Sequence, residues 1–340
     1  MIEVVRSGLL TTVQDLGRFG YEAAGVSPSG AMDTVLAELA NAIVGNDKDA
    51  AVLELTWVGP QLTFTEEAWI SICGADMQAK VDGTLVPRNR LIQVSAGAKL
   101  TFATAKHGAR SVLAVAGGID VPVILGSRNT HVHAKLGGYD GRPLQPGDVL
   151  KLCIPSEATA MWLRKQPMHP SGASVRVSSW ELRIPREVDG GLNENGSEQV
   201  IRIIPGPEFL WFADDVRQML TEAEYEVTQS SNRMGYRLAG MPLIPERKEH
   251  LWSSAVTFGT VQVPPDGQPV VLMAERQTTG GYPRIGVVAS VDRPRLAQLR
   301  PGHRLKFTWI DVNTAQQLLI RQRKIISQLK TLLRYSGGVS

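Results

Sequence analysis

Short apolar runs closed by Gly, Pro or Asp are the feature of this sequence that most limits its fold. Ala68–Cys73 and Lys99–Ala103 are examples, and the same texture returns at Thr257–Val263 and Ile285–Val291. Their residues are β-branched or alternate between apolar and polar, which is typical of strands. The 33 glycines and 20 prolines suit many strands joined by tight turns. We therefore predict a mainly β fold with a few helices.

One phrase recurs in both halves of the chain. An apolar residue, a Gly-centred turn and a strand with apolar residues two apart follow one another at Val94–Phe102, Leu144–Leu152 and Leu299–Phe307. Glycine supplies the positive φ that such a turn requires. The unequal intervals exclude a solenoid. The phrase indicates related units in the two halves, and we predict two β-barrel units.

Three segments have the residue spacing of helices. The first follows Asp33 as N-cap and stops at Gly45, and the second begins at Gly206–Glu208 with proline in its first turn. The third runs from Thr314 to about Arg334 and carries five basic residues and no acidic one. Such a helix can lie on a membrane, bind an acidic partner, or pack its apolar stripe on the protein body with its basic face in solvent.

The length of 340 residues favours two packed units. The strand texture weakens between residues 155 and 198, where Pro and Gly accumulate around one embedded strand. We predict an N-terminal β-rich domain at 1–154, a connector at 155–198, a β-barrel domain at 199–312, and a basic helix with a tail at 313–340.

Composition excludes several classes of protein. Hydrophobic residues make up 43% and charged residues 20%, which excludes a disordered chain. The net charge is only +3, and the basic residues in the body of the sequence form no stripe with interleaved aromatic residues. We therefore expect no nucleic-acid partner. Neither a signal peptide nor an apolar run of roughly 18–20 residues is present, so we expect a cytoplasmic protein without membrane contact. Cys73 and Cys153 are expected to be buried, reduced thiols.

The common signatures of one-chain enzymes are also missing. The sequence contains no Walker-type phosphate loop, no dinucleotide-binding glycine motif, no nucleophile elbow and no paired-histidine zinc-protease motif. The candidate chemistry lies instead in loops rich in small polar residues.

Two of these loops lie in the first 33 residues. Thr11–Arg18 is the first, and Ser27–Asp33 is the second and leads into a predicted helix. Free N–H groups at that helix start could hold a carboxylate, or Asp33 could simply cap the helix. A third loop, Gly126–Thr130, precedes His131 and His133. These two histidines would face one side of a strand, but no further metal ligand is visible, so we favour hydrogen-bonded histidines and predict no metal.

Two more loops lie in the second half. In Ser231–Arg237, Arg233 could clamp a carboxylate or carboxyphosphate, or form a structural ion pair. Glu275–Pro283 follows a predicted strand. Its two glycines would let backbone amides approach a ligand, and Glu275 is its only acid. An ordinary polar turn remains the alternative for this loop.

The order of these loops resembles that of the KipA / allophanate hydrolase subunit 2 family, which is related to biotin-dependent carboxyltransferases and includes the C subunits of 5-oxoprolinase. The matching phrases span the chain up to about residue 307. They are Leu10–Arg18, Ser29–Asp33, Ala40–Asn46, Gly126–Arg128, Gly141–Asp148, Ser231–Leu238, Gln262–Pro269 and Gln277–Pro283.

The resemblance implies β-barrel units with a cyclophilin-like barrel in the C-terminal half. It also implies a KipI-like (allophanate hydrolase subunit 1-like) partner and, in bacterial 5-oxoprolinase, a LamB/YcsF-like third subunit. That complex uses ATP to convert 5-oxo-L-proline to L-glutamate. Since the chain lacks a phosphate loop, we expect ATP to be bound mainly by a partner, and neither metal nor covalent biotin to be held by this chain.

Two other functions of relatives stay open. Urea carboxylases use a related domain to pass carboxylate from carboxybiotin to urea, and other relatives antagonise an inhibitor of a histidine kinase without catalysis. This sequence has Glu275 where relatives usually have Asp, and His133 near a position where they often have Arg. These two departures leave the substrate open between a cyclic amide and urea.

We predict that the chain supplies half of an active site shared with a partner and acting on a small amide. Asp15 and Glu275 are the candidate catalytic acid/base residues, and Arg233 is the candidate anion clamp. The remaining predicted substrate-binding residues are Arg18, Ser29, Asp33, Asn232, Thr278, Thr279, Gly280, Gly281 and Tyr282.

Overall fold

The computed structural model describes residues 1–190, 199–247 and 251–335. Residues 1–190 form fourteen strands and three α-helices. The strands are β1 (Ile2–Arg6), β2 (Leu10–Gln14), β3 (Val52–Thr56), β4 (Gln61–Phe64), β5 (Ala68–Gly74), β6 (Lys80–Val81), β7 (Thr84–Leu85), β8 (Ile92–Val94), β9 (Lys99–Thr101), β10 (Arg110–Val115), β11 (Ile119–Asp120), β12 (Val149–Leu152), β13 (Met168–Gly172) and β14 (Val175–Ser178). The helices are α1 (Thr34–Ile43), α2 (Glu157–Arg164) and α3 (Arg186–Asp189).

These strands form two seven-stranded sheets. The first has the order β11-β12-β1-β4-β9-β6-β7, and the second has the order β13-β14-β8-β5-β10-β3-β2. Strand β10 shows how they pack: Leu113 and Val115 join a core with residues of the first sheet, whereas Val112 and Ala114 face α1. The central strands β3, β5 and β10 of the second sheet are therefore buried on both faces, which explains their continuous apolar runs.

The C-terminal half is built around a closed barrel of seven strands in the order β15-β22-β19-β20-β17-β16-β23, in which β15 and β23 are parallel. Strands β18 and β21 form a separate two-stranded sheet. The strands are β15 (Gln199–Pro205), β16 (Tyr225–Val227), β17 (Gly235–Ala239), β18 (Ser254–Ala255), β19 (Thr260–Gln262), β20 (Val270–Leu272), β21 (Thr279–Gly280), β22 (Arg284–Val288) and β23 (Arg304–Trp309). The helices are α4 (Asp214–Glu222), α5 (Arg293–Ala297) and α6 (Val312–Tyr335).

The predicted mainly β fold with a barrel in its C-terminal half is confirmed. The N-terminal half differs from the expected barrel, because its strands form the two stacked sheets described above. The second predicted helix also begins differently: a 3-10 turn at Phe209–Trp211 precedes α4, which starts at Asp214.

The predicted connector at 155–198 needs correction in its described part. Strands β13 and β14 belong to the second sheet, where Val175 of β14 pairs with Val94 of β8. Pro170 lies in β13, the edge strand, which is the position where a sheet tolerates proline. Because proline usually argues against a strand, β13 was not predicted from the sequence. Positions 191–198 of the predicted connector, and 336–340 of the predicted tail, lie outside the described residues.

The basic helix α6 packs on the protein body. Ile326 and Leu333 share an apolar cluster with α1. Glu38 of α1 accepts hydrogen bonds from Arg323 Nη1 at 3.2 Å and Lys330 Nζ at 2.8 Å. Part of the basic face is thus neutralised within the chain. None of the helices in the described ranges has the length and apolar character of a membrane span.

Candidate functional site

A cavity of about 340 Å³ lies where the N-terminal sheets meet the barrel. Both halves of the chain contribute to its wall, which combines apolar side chains with buried charges. Its lining residues are Leu9, Leu10, Thr56, Trp57, Arg110, Val132, His133, Ser231, Asn232, Arg233, Met234, Tyr236, Glu275, Leu299 and Pro301. We call it the interdomain cavity.

Arg233 is the central charge of this cavity and is 5% exposed. Its Nε donates to Glu275 Oε1 at 2.6 Å, its Nη2 donates to the Gly30 carbonyl oxygen at 2.6 Å, and its Nη1 donates to Glu54 Oε1. Burial works against the cation, but the neighbouring carboxylates of Glu54 and Glu275 outweigh it and raise the pKa of Arg233. Arg233 is therefore a fixed cation that joins the barrel to the N-terminal half.

Glu275 is 3% exposed and follows strand β20. Its backbone N–H donates to the Arg233 carbonyl oxygen at 2.8 Å, so both ends of the residue are fixed by the same arginine. The second carboxylate oxygen lies 3.7 Å from His131 Nδ1 and accepts from the His133 backbone N–H at 3.5 Å. Because His131 Nδ1 also accepts from the Ala134 N–H at 3.1 Å, its proton belongs on Nε2. Burial lowers the pKa of His131, although Glu275 opposes the shift.

Glu54 and Arg110 complete the charge cluster and were missed by the sequence analysis. Glu54 is 1% exposed in strand β3, and its Oε2 accepts from the Met32 N–H at 2.7 Å. Arg110 is 5% exposed, and its Nη1 donates to Tyr236 Oη at 2.7 Å and to the Ala297 carbonyl oxygen at 2.5 Å. The available signal was a charge within a strand otherwise made of apolar residues, because such charges are buried only when paired.

Asn232 shapes the loop that carries Arg233. Its Oδ1 accepts from the Met234 N–H at 2.8 Å and the Gly235 N–H at 3.4 Å, which forms an Asx turn before strand β17. The side-chain amide oxygen is therefore used within the turn. The amide nitrogen remains as the group that Asn232 can offer to the interdomain cavity.

Asp15 and Arg18, from the first predicted loop, do not line this cavity. The Asp15 carboxylate accepts hydrogen bonds from Gly17 N, Ser127 Oγ and Arg128 N, each at 2.7–2.8 Å. Arg18 is fully buried and donates to the Ile124 carbonyl oxygen and to Asn129. Burial lowers the pKa of Arg18, against the effect of Asp15. Both side chains hold loops together.

The second predicted loop lies behind Arg233. Ser29 Oγ donates to the Thr130 carbonyl oxygen at 3.2 Å, and the following Gly30 accepts from Arg233. Asp33 caps α1 by accepting from the Leu36 N–H at 3.0 Å, and its Oδ2 lies 3.5 Å from Gln298 Nε2. Burial raises the pKa of Asp33 to about 7.

The glycine-rich loop after Glu275 turns away from the cavity wall. Thr279 and Gly280 form strand β21, which pairs with β18, and the Thr278 carbonyl oxygen accepts from the Val256 N–H at 3.0 Å. Tyr282 is 48% exposed. Thr278, Thr279, Gly280, Gly281 and Tyr282 are not among the lining residues of the interdomain cavity.

Of the predicted site residues, the structure brings Asn232, Arg233 and Glu275 into one cavity. Their catalytic and binding roles stay predictions. A cavity with guanidinium groups, a carboxylate and the imidazole of His133 can bind a small polar molecule, polarise a carbonyl group and exchange a proton. Within residues 1–190, 199–247 and 251–335, no group of three or more Asp, Glu, His or Cys side chains could hold a metal ion.

Comparison with known proteins gives a consistent picture. Residues 24–309 match the family model described as carboxyltransferase domain, subdomain A and B. The chain is 36% identical over 329 residues to the C subunit of the Escherichia coli 5-oxoprolinase, with 97% of each protein covered. It is 32% identical to the C subunit of the Haemophilus influenzae 5-oxoprolinase, over 98% of this chain and 99% of that protein. The crystal structure of the K. lactis urea amidolyase matches with a TM-score of 0.83 and 29% identity, over 96% of this chain and 20% of that chain.

Proposed function

The chain belongs to the family of carboxyltransferase domains with subdomains A and B, and from this membership we propose that it is the C subunit of a 5-oxoprolinase. The observation that carries the proposal is the 36% identity to such a protein across 97% of both chains. The urea amidolyase, in contrast, corresponds to this chain over 20% of its length. Because the match covers nearly all of both proteins, it supports the proposal that this chain is a separate subunit, as its relative is.

We propose that the interdomain cavity binds the small amide. A five-membered lactam with a carboxylate is small enough for a space of about 340 Å³. Arg110 Nε is buried 3.9 Å from Glu54 Oε1 and has no hydrogen-bond partner among the described residues, so we propose it as a donor to a substrate oxygen. Glu275 is the acid/base candidate, and Arg233 holds it in place through the 2.6 Å hydrogen bond.

The remaining steps require other proteins. We propose that a KipI-like partner and a LamB/YcsF-like partner complete the enzyme, that ATP is bound mainly by a partner, and that the chain holds neither metal nor covalent biotin. The absence of a phosphate loop in the sequence supports this assignment of ATP. The complex would work in the cytoplasm, where ATP is available.

Reconstitution tests this function. The chain is co-expressed with its two proposed partners, and L-glutamate formation from 5-oxo-L-proline is measured with and without ATP. We expect activity only when all three proteins and ATP are present. Equal turnover by the two partners without this chain would disprove the proposal.

A variant tests the site. We expect Glu275→Gln to lower kcat at least about tenfold, because the amide cannot take up a proton as a carboxylate does. Arg237→Gln is the matched control: it neutralises an exposed arginine of strand β17, which directly follows the loop of Arg233, and should leave kcat unchanged. Wild-type kcat in Glu275→Gln would remove Glu275 from the mechanism.

A second function is favoured by one observation, the TM-score of 0.83 to the urea amidolyase over 96% of this chain. It is carboxyl transfer in a biotin-dependent urea or amide carboxylase. This function requires bicarbonate and a biotin carrier, so avidin would abolish it. Activity of the reconstituted complex that is unaffected by avidin and by bicarbonate removal would exclude it.

A further inference from the structure

A second cavity, of about 400 Å³, opens on the N-terminal half of the chain. We call it the Arg128 cavity. The lining residues that matter here are Asn46, Asp47, Asp49, Gly118, Ser127 and Arg128. It shares no lining residue with the interdomain cavity. The Gly126–Arg128 phrase of the sequence therefore lies at a different place from Arg233 and Glu275.

The backbone of this phrase is fixed by Asp15. The Asp15 carboxylate accepts from Ser127 Oγ at 2.7 Å and from the Arg128 N–H at 2.7 Å, and Ser127 Oγ in turn accepts from the Asn129 N–H at 3.0 Å. A carboxylate that is only 6% exposed and holds three donors is committed to the loop. Asp15 thus positions Arg128 at the cavity wall.

The guanidinium of Arg128 has no protein partner among the described residues. Its Nε is buried without a hydrogen bond, and the guanidinium forms no ion pair within those ranges. A guanidinium carries five N–H donors, and buried donors without a partner are rare in folded proteins. An unpaired guanidinium at the wall of a polar cavity is a group prepared for an external carboxylate, which it can bind through two parallel hydrogen bonds.

Two acids besides Asp15 line the same cavity. Asp47 and Asp49 lie on the loop after α1, are exposed, and form no ion pair in the part of the chain that the structure describes. A ligand with only negative charge would meet repulsion from these carboxylates. A ligand with one negative and one positive end would satisfy all three groups.

We propose that the Arg128 cavity binds an α-amino acid, with the carboxylate on Arg128 and the ammonium group on Asp47 and Asp49. The volume lies within the usual range of small-molecule sites. The site is separate from the proposed ring-opening chemistry and does not depend on it. Occupancy by an amino acid would place a second small-molecule ligand on this chain.

Calorimetric titration of the purified chain tests the site with matched pairs of probes. L-glutamate is compared with glutarate, and L-alanine with propionate, because each pair differs in the ammonium group. We expect saturable binding of at least one amino acid, and binding at least about tenfold weaker for its partner without nitrogen. Equal affinity within both pairs, or no saturable binding by either amino acid at millimolar concentrations, would overturn the proposal.

Three variants assign the groups. We expect Arg128→Gln, and separately the double change Asp47→Asn with Asp49→Asn, to weaken amino-acid binding about tenfold or more. Lys48→Gln lies on the same loop, does not line the cavity and should bind as the wild type does. Because Asp47 and Asp49 are exposed, we expect the double variant to fold, so it still tests the site if Arg128→Gln does not fold. Wild-type affinity in the folded double variant would overturn the assignment of the ammonium group.

Discussion

The charged guanidinium of Arg233 is buried, and its neighbours come from both halves of the chain. Its guanidinium contacts Glu275 beside the barrel and Glu54 in strand β3. Removing one member of a buried ion cluster leaves the other charges without compensation, which costs about 3–5 kcal/mol. We therefore expect Arg233→Met to lower the free energy of unfolding by about that amount, as measured by chemical denaturation.

An exposed ion pair is the control for this prediction. Arg304 and Glu224 lie 3.2 Å apart, with side chains that are 62% and 41% exposed. Solvent screens such a pair, so Arg304→Met should change the free energy of unfolding by less than about 1 kcal/mol. Similar losses in the two variants would contradict the view that the Arg233 cluster holds the structure together.

Asp33 gives a prediction about pH. Burial raises the pKa of its carboxyl group from 3.8 to about 7, so the folded protein holds a proton that the unfolded chain releases. The stability that this proton contributes is complete below about pH 4 and is lost as the pH rises to about 7. We expect Asp33→Asn, which can still cap α1, to remove this loss. The free energy of unfolding of both proteins is measured across this range, and identical pH dependence would contradict the prediction.

Single residues also show the limit of sequence analysis. The loop chemistry around Arg233 and Glu275 was visible because polar residues cluster there. For Glu54 and Arg110 the local signal was a charge in a mostly apolar strand, and their partners could not be predicted because they lie far away in sequence. Asp15 lies in a loop whose composition resembles that of a catalytic loop. Its hydrogen bonds to Ser127 and Arg128 depend on the tertiary fold, which no local sequence pattern encodes.

At the scale of elements, helix α6 has one face packed against α1 and another face exposed to solvent. Ile326 is 2% exposed against α1, whereas Ile320 on the same helix is 68% exposed. Truncating a buried isoleucine to alanine costs about 2–5 kcal/mol. We expect Ile326→Ala to lower the free energy of unfolding by that amount and Ile320→Ala to leave it nearly unchanged. Equal effects in denaturation experiments would contradict the packing of α6 on α1.

The helices and strands themselves were predictable to different degrees. The Asp33 cap and the apolar stripe of α6 are local signals, and both helices begin within two residues of the expected positions. Strand β13 was hidden by Pro170, which only its edge position permits. The two N-terminal sheets could not be distinguished from a barrel, because strand texture does not specify which strands pair.

At the scale of the whole molecule, buried polar and charged groups of each half have their hydrogen-bond partners in the other half. Arg110 of the N-terminal half donates to Tyr236 and to the Ala297 carbonyl oxygen, and Gln298 accepts from the Ala109 and Arg110 N–H groups at 3.1 Å. Separating the halves would leave these groups, and the Arg233 cluster, without partners. Unfolding one half alone would therefore leave buried charges of the other half without partners, which couples the unfolding of the two halves.

We expect one cooperative transition in scanning calorimetry, with a calorimetric enthalpy equal to the van't Hoff enthalpy. Arg233→Met should weaken the coupling and separate the transition into two, because each half keeps its own apolar core. Arg304→Met, which changes a charge on one half only, should retain a single transition at nearly the wild-type temperature. Two well-separated transitions in the wild-type protein would show that the halves fold independently, and the interdomain cavity would then have to form between two units that move relative to each other.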